Sequence, residues 1–313
     1  MGESSKQKAK SWPYVRHQQF ENKLRQANAN WFTKHGATVN KKIPYLLENW
    51  DDWPRNIILS GVAAYIQAEQ IQHVLDGHPF PLHKYIHHGL SSQAMLFNLV
   101  GPLVVENDLS PLRKAFEAAQ IFWPAGDVKA MFEVENRSVF NEDSGQPTSI
   151  DLVIKGDSNS RSLFIEAKLV EREFGGCSVM QGGDCDGRNP VNDFNRCYLH
   201  HIGRRYWELL EKHGFLKESV GSNSICPLAL YYQFFRELLF AIESDGDFVL
   251  LYDERNPTFY TDGPAGERGL MPFLLSFVPE QLRKHVHQIS IQKVIASYEE
   301  TEWLLDFKSK YSL

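Results

Sequence analysis

Two short apolar segments between Thr148 and Glu171 constrain the fold more than any other part of the sequence, because each carries charged residues inside a strand-like run. The first reads SIDLVIKG and the second reads RSLFIEAKLVE, with a polar stretch between them. Alternation of apolar and other residues over such lengths predicts two β-strands, since successive side chains of a strand point to opposite faces of the sheet. The pair is therefore predicted to form a hairpin.

Alternation also predicts that the charged residues of this hairpin share one face of the sheet. Glu166 and Lys168 lie on the same face of the second strand. The opposite face carries the apolar residues Leu163, Ile165, Ala167 and Leu169. If Asp151 of the first strand pairs near Glu166, two carboxylates and one ammonium group meet on one side of the sheet. Two neighbouring carboxylates repel each other and have raised pKa values unless a cation lies between them.

Mg²⁺ suits this arrangement, because it binds one or two carboxylates together with waters and phosphate oxygens. We expect Asp151 and Glu166 to bind Mg²⁺ or Mn²⁺, with the backbone carbonyl of Ala167 as a further ligand. Lys168 would orient or deprotonate the attacking water and stabilise negative charge that develops on phosphorus. The alternative is a cross-strand salt bridge on a solvated sheet face.

The segments before the hairpin predict helices that lead into an antiparallel meander. Helix formers with helically spaced apolar residues run from Trp12 to about Leu75, and a helix capped by Ser91 or Ser92 follows. After the helix SPLRKAFEAAQIFW, the segment VKAMFEVENR is the first of three consecutive strand candidates. Glu133 and Glu135 share a face of that strand, and Glu135 is the favoured additional metal ligand because it is closer to the strand's end.

The segments after the hairpin predict two long helices and a further strand. The first helix is PVNDFNRCYLHHIGRRYWELLEKHG, and the second is CPLALYYQFFRELLFAIESDG with Pro227 in its first turn. The strand DFVLLYDE follows, and HQISIQKVI and SYEETEWLLDF predict a later strand and a terminal helix. We expect an N-terminal helical region at 1–88, an α/β core at 89–254, and a C-terminal extension packed on the core at 255–313.

Asp151 followed by EAK on the next strand resembles the PD-(D/E)XK nuclease superfamily of restriction-endonuclease-like folds, although TSI replaces the proline that gives the superfamily its name. The order SSQAMLFNL, PTSIDLVI, FIEAK and YYQFFRELLFA is similar to a subfamily of uncharacterised bacterial restriction-endonuclease-like proteins. This likeness covers about half the chain. It implies a mixed central sheet flanked by helices and metal-dependent hydrolysis of phosphodiester bonds, with DNA favoured over RNA.

Further site residues follow from the same resemblance. In the RecB-like branch a glutamine on a later helix helps to position the site, and Gln233 resembles that residue. Arg236 is one helical turn on, so Gln233 could face a metal-bound water or Lys168 while Arg236 faces a phosphate. Both residues could instead form the polar edge of an apolar helix. Arg204 and Arg205 are weaker candidates for phosphate contacts.

All four cysteines follow the predicted hairpin, and we expect them to bind one structural metal. Cys177, Cys185 and Cys226 lie at glycine-rich or proline-marked loop edges, and Cys197 lies inside a predicted helix. Reducing conditions disfavour disulfides, and neither zinc-ribbon nor ferredoxin spacing is present. Zn²⁺ would fasten the loops, whereas the resemblance to RecB-like nucleases permits a [4Fe-4S] cluster. Ordinary thiols are the alternative.

Composition narrows the class of protein without identifying a substrate. A net charge of −6 provides no global attraction to nucleic acid, so such a partner must be held by local basic groups or metal ions. The sequence has neither a secretory signal nor an apolar run long enough to span a membrane, so we expect a cytoplasmic protein. Nucleotide-binding glycine motifs are absent from the sequence. A catalytically inactive module that binds nucleic acid or protein remains the alternative, and the oligomeric state is not specified.

Overall fold

A five-stranded mixed sheet forms the centre of the protein in a computed structural model that describes residues 16–77, 80–143, 145, 147–157, 160–217, 219–259 and 269–313. Its strands, in spatial order, are β1 (Lys129–Glu135), β2 (Ser149–Lys155), β3 (Ser162–Lys168), β4 (Gly246–Tyr252) and β5 (Val286–Ser290). The first three are antiparallel, and β4 and β5 run parallel to β3. This arrangement confirms the α/β fold with a mixed sheet.

Helices precede the sheet, cross between its strands and follow it. The first group consists of α1 (Arg16–Lys34), α2 (Ser60–Leu75), α3 (Ser92–Glu106) and α4 (Ser110–Ala118), with a 3-10 turn at Trp50–Asn56 between α1 and α2. The crossing helices are α5 (Arg137–Phe140), α6 (Ser178–Gln181), α7 (Tyr198–His201), α8 (Tyr206–Lys212), α9 (Ser219–Ser222) and α10 (Pro227–Glu243). Two more helices, α11 (Leu270–Leu275) and α12 (Glu280–Arg283), lie between β4 and β5, and the helices that follow the sheet are α13 (Ile291–Ile295) and α14 (Glu302–Tyr311). The N-terminal helical region is thereby confirmed from Arg16, and its predicted start at Trp12 lies outside the described residues.

Both faces of the sheet are packed against helices. One core combines the face of β3 that carries Leu163 and Ile165 with Phe97 of α3, and it extends to α1 and α14. The other core places Phe164 against α8 and α10. Every residue of β3 is buried, as expected for the central strand of a sheet with two covered faces. Sequence alternation predicted an apolar core on only one face of the sheet, whereas the structure has a core on each face. The charged residues of β3 therefore lie in an enclosed site and not on an open surface.

Two segments differ from the predicted elements. The long helix predicted over 190–214 is broken into a 3-10 turn at Phe194–Arg196 and the short helices α7 and α8. Gly203 adopts φ +83° after α7, and the amide of Arg205 donates to the carbonyl of Phe140, so the chain turns away from a continuous helix. In HQISIQKVI the strand ends at Ser290, whose hydroxyl accepts a hydrogen bond from the amide of Lys293 and caps α13.

Helix packing near the site depends on the absence of a side chain at Gly101 of α3. A Cβ atom at this position would lie 2.4 Å from a methyl carbon of Val62 in α2. None of the described helices is both long and apolar enough to cross a membrane. The close approach of α2 to α3 buries apolar residues of both helices in one core.

Gly101→Ala should destabilise the protein, because the new methyl group overpacks the contact between α2 and α3. We expect the free energy of unfolding to fall by about 1–3 kcal/mol, as for other insertions into a packed core. Val62→Ala removes the opposing methyl groups, so the double variant should recover part of the loss. Urea unfolding of the four proteins measures this coupling, and additive effects would contradict the packing described here.

Candidate active site

The register of the first three strands places three carboxyl groups in one row across the sheet. Phe132 pairs with Leu152 and Val134 pairs with Ile150, which leaves Glu133 opposite Asp151. In the next ladder Leu152 pairs with Ile165, so that Asp151 comes opposite Glu166 one step further along. The pairing of Asp151 near Glu166, on which the expected meeting of the charged groups depended, is present in the structure.

Asp151 is held in this row by a hydrogen bond to the next strand, and Glu133 by an unusual backbone conformation. The amide of Ala167 donates to Asp151 Oδ2 at 2.9 Å, so the carboxyl group takes the place that a strand carbonyl would occupy. Glu133 adopts φ +53°, a left-handed conformation that is uncommon inside strands for residues other than glycine. Such strained backbone concentrates at functional sites.

Glu166, Lys168 and Gln233 form a closed triangle of hydrogen bonds. Lys168 Nζ donates to Glu166 Oε1 at 2.5 Å and to Gln233 Oε1 at 2.9 Å. Gln233 Nε2 donates to the same Glu166 oxygen at 2.7 Å. Gln233, which the resemblance to RecB-like nucleases singled out, therefore bonds to both strand residues.

A distortion of α10 brings Gln233 to the sheet. Tyr231 has non-helical dihedral angles, and the amide of Gln233 donates to the carbonyl of Phe174 instead of continuing the helix. The loop that contains Phe174 also binds α10 one turn before Gln233, because the amide of Cys177 donates to the carbonyl of Ala229. A Cβ atom at Gly176 would lie 2.8 Å from this carbonyl oxygen, so the close approach requires glycine.

Glu133 is held by α3 and β2 together. Gln93 Nε2 donates to Glu133 Oε1 at 2.6 Å, and Ser149 Oγ donates to Glu133 Oε2 at 2.7 Å. Burial nevertheless raises the pKa of Glu133 to about 7, and the charge of Glu166 acts in the same direction. The Glu133 carboxyl is thus buried beside another acid and keeps a proton more readily than an exposed glutamate.

The row contains more acidic groups than one lysine can neutralise. Burial raises the pKa of Asp151 well above its usual range, and the charges of Glu166 and Glu133 add to this effect. Burial alone would lower the pKa of Lys168, but the carboxyl groups of Glu166 and Glu237 prevail and raise it. Lys168 therefore stays protonated in this arrangement, while the surrounding acids favour an additional cation.

Glu237 is a fourth acidic residue at the site, and sequence reasoning missed it. It is fully buried on α10, one helical turn after Gln233. Neither of its carboxylate oxygens accepts a hydrogen bond from a described residue, whereas a protonated Glu237 can donate to Glu166. Burial and the charge of Glu166 raise its pKa well above the usual range. A charged residue inside the apolar run FFRELLF was the signal that could have revealed it.

These residues lie along one cleft of about 730 Å³. Its walls include Glu133, Asp151, Glu166, Lys168, Gln233 and Arg236. Arg236 lies over the ring of Tyr232, with its guanidinium carbon 5.1 Å from the ring centroid. The cleft thus combines the predicted metal ligands, the lysine and one predicted phosphate contact.

Four residues of the predicted catalytic site, Ala167, Glu135, Arg204 and Arg205, are not among the residues that line the cleft. Glu133 takes the position in the cleft for which Glu135 was favoured. Arg204 donates to the carbonyl of Asn141, and Arg205 pairs with Glu208 at 3.5 Å. The contacts of Arg204 and Arg205 with Asn141 and Glu208 orient the chain between α7 and α8.

The four cysteines are brought to one region beside this site. Cys185, Cys197 and Cys226 line a cavity of about 320 Å³, and all four cysteines are free thiols. Burial raises the pKa of Cys177, and nearby Cys197 and Cys185 contribute to the shift. Cys197 lies between a 3-10 turn and α7, not inside a long helix. Within the described ranges, no three or more His, Cys, Asp or Glu side chains are arranged to hold a metal ion.

The fold and the cleft define a restriction-endonuclease-like α/β protein. A family model described as Restriction Endonuclease associating with ARP matches residues 25–312, which run from α1 through α14. The chain therefore belongs to this restriction endonuclease family. No curated protein and no solved structure matches the chain.

Glu133→Gln should change how the stability of the metal-free protein depends on pH. The pKa of Glu133 is raised from 4.5 to about 7 on folding, so the folded state retains a proton that the unfolded chain loses as pH rises. Wild-type stability should therefore fall relative to the variant between these pH values, by about 3 kcal/mol in total. Urea unfolding in chelator from pH 4.5 to 8 measures the difference in unfolding free energy between wild type and variant. A difference that does not change with pH would contradict the raised pKa of buried Glu133.

Proposed function

We propose that the protein is a Mg²⁺-dependent nuclease of the PD-(D/E)XK type that hydrolyses phosphodiester bonds. The single observation that carries this proposal is the row formed by Glu133, Asp151 and Glu166, with Lys168 bound at its end. Membership in a restriction endonuclease family supports nuclease-like activity. We further propose that it acts in the cytoplasm and that DNA is its substrate, in accord with the superfamily resemblance.

The acidic residues fit a hard divalent cation. Asp151 and Glu166 would hold Mg²⁺ or Mn²⁺, with the carbonyl of Ala167 as a further oxygen. Two carboxylates are sufficient, because Mg²⁺ keeps several waters and binds substrate phosphate oxygens. Glu237 has a raised pKa and can donate to Glu166 when it is protonated, so Asp151 and Glu166 are the groups whose negative charge a cation would offset. When bound, the metal supplies an activated water and electrostatic stabilisation of the phosphoryl group.

Each protein group has a separate task in this proposal. Lys168 stays protonated, so it donates a hydrogen bond to the attacking water or to a phosphate oxygen as negative charge develops. Gln233 holds Lys168 and Glu166 in register through the triangle described above. Arg236, on the wall of the cleft, would contact a neighbouring phosphate of the substrate strand.

Asp151→Asn and Lys168→Met should both abolish cleavage, but for different reasons. Asp151→Asn removes a metal ligand and should weaken Mn²⁺ binding in calorimetry. Lys168→Met should leave metal affinity close to that of wild type and reduce single-turnover cleavage of plasmid DNA by roughly 100- to 1000-fold. Lys155→Met is the matched control, because Lys155 is exposed at the far end of β2.

Wild-type turnover by Lys168→Met would contradict the role assigned to this lysine.

The alternative function is a catalytically inactive module that binds nucleic acid or protein on the same fold. Plasmid cleavage that requires Mg²⁺ or Mn²⁺ and is lost in Asp151→Asn would exclude it. A panel of single-stranded, double-stranded and branched DNA with matched RNA tests the preference for DNA, and faster cleavage of RNA would overturn that preference.

We also propose that Cys177, Cys185, Cys197 and Cys226 bind one structural metal, Zn²⁺ or a [4Fe-4S] cluster. Supporting observations are the shared cavity and the backbone pairing that joins the loops, in which the amide of Cys226 donates to the carbonyl of Gly187. The thiols must shift and lose their protons to become ligands, since none of the described residues forms a ready metal site. A bound metal would fasten the loop that docks Gln233.

Elemental analysis and the visible spectrum of protein purified without air should therefore show zinc or a brown iron–sulfur chromophore. Cys226→Ser should lose most of that metal and lower thermal stability, because a bound structural metal contributes to folding. The matched control, Ser224→Ala in the same loop, should retain the metal. Metal-free wild-type protein with four titratable thiols would leave the cysteines as ordinary side chains.

A further inference from the structure

A second cavity, of about 360 Å³, adjoins the candidate active site. His83, Ser92 and Glu171 line both this cavity and the cleft that contains the carboxyl row, so the two spaces are adjacent. We call the second cavity the side pocket. Tyr85 and His88 also line it. Its volume is in the range of small-molecule binding sites.

Aromatic and basic side chains surround the entrance to the side pocket. Tyr85 is 52% exposed and lines the pocket, so its ring is accessible to a ligand. The ammonium group of Lys84 lies 4.9 Å from the Tyr85 ring centroid, and Lys84 itself lines the cleft. The ring of His83 contacts Tyr85 edge-on at 5.4 Å between centroids. A cation and a flat ring are thus adjacent at the junction of the two spaces.

The imidazole groups of this pocket are held neutral. Burial lowers the pKa of His88 to about 4, and burial is also the main cause of the lowered pKa of His83. Neutral imidazole presents a flat face and can donate and accept a hydrogen bond. The histidines therefore add flat surfaces and hydrogen-bonding groups to a largely apolar lining, and the only cation among the described residues of that lining, Arg25, is accompanied by the acids Glu21 and Glu171. This lining suits a planar, uncharged heterocycle better than a second phosphate group.

The segment that carries these residues is fastened to the carboxyl row. Gln93 Oε1 accepts a hydrogen bond from the amide of His83 at 2.9 Å, and Gln93 Nε2 donates to the carbonyl of Pro81 at 2.8 Å. The same amide group donates to Glu133. Gln93 of α3 therefore connects the segment just before Tyr85 to the acidic residues.

We propose that the side pocket binds an unpaired nucleobase of the substrate strand, with Tyr85 as its stacking surface and Lys84 beside an adjoining phosphate. This inference rests on the proposed nuclease function and specifies its substrate. Aromatic side chains bind the faces of unstacked bases in proteins that recognise single strands. A base inside a duplex is paired and stacked, so it cannot enter a pocket beside the cleft. The preferred substrate is therefore single-stranded DNA or an unpaired segment at a junction.

Fluorescence anisotropy with a labelled oligodeoxythymidine tests the pocket in the presence of chelator, where no metal-dependent cleavage occurs. Tyr85→Ala should weaken binding by roughly 5- to 100-fold, the range for loss of one stacked base. Tyr85→Phe keeps the ring and should bind as wild type does. The matched control is Tyr198→Ala, because Tyr198 is 56% exposed and lines neither cavity.

An abasic oligonucleotide of the same length provides a second readout that needs no substitution. It keeps the phosphates but offers no ring, so wild type should bind it more weakly than oligodeoxythymidine, and Tyr85→Ala should not weaken that binding further. Equal binding of both oligonucleotides by wild type would overturn the proposal, and so would tighter binding of a duplex. An equal loss for both oligonucleotides in Tyr85→Ala would likewise contradict a base pocket.

The outcomes separate this proposal from the nuclease function itself. Cleavage of plasmid DNA that depends on Asp151, together with no effect of Tyr85→Ala on oligonucleotide binding, overturns only the base pocket. Binding of oligodeoxythymidine that depends on Tyr85, in a protein that cuts no nucleic acid with Mg²⁺ or Mn²⁺, contradicts only the nuclease function. Thermal unfolding of Tyr85→Ala and Tyr198→Ala checks that both variants are folded.

Discussion

The pairing register of β1, β2 and β3 is the constraint on which the site depends. A slip of one residue would turn every side chain of a strand to the opposite face, so that Asp151 and Glu166 would no longer share a row. Apolar burial prevents this slip, since Leu152 and Ile165 pair directly and belong to the same core. The hydrophobic effect therefore holds together acidic groups that repel one another, and the resulting excess of negative charge favours a cation.

Helix α10 converts this row into an enclosed site. Its distortion at Tyr231 allows Gln233 to bond both Glu166 and Lys168, and Glu237 adds a buried acid one turn later. A second buried network supports the same helix, because the hydroxyl of Tyr232 donates to Tyr206, which in turn donates to Glu142. Glu142 also accepts a hydrogen bond from the amide of Thr148, just before β2. The helix and the strand that carries Asp151 are thus oriented by shared contacts.

Sequence periodicity predicted the part of the site that local geometry determines. Alternation in β2 and β3 was enough to assign the charged residues to one face of each strand, because the side-chain period of a strand does not depend on distant contacts. It left open the register that brings Asp151 close to Glu166, which the structure supplies. The role of Glu237 depends on how α10 rotates against the sheet, which no local pattern specifies. The break of the helix predicted over 190–214 has a similar origin, since the amide of Arg205 bonds to Phe140, far away in the sequence. Tertiary contacts override helix propensity at such positions.

The central claim is that the carboxyl row holds a divalent cation, and anomalous diffraction from crystals soaked in Mn²⁺ tests it most directly. The account predicts an anomalous peak between the carboxyl groups of Asp151 and Glu166, next to the carbonyl of Ala167. Crystals of Asp151→Asn should lose this peak under the same conditions. A wild-type crystal with saturating Mn²⁺ and no peak at the row, or with its only peak bound elsewhere, would contradict the account.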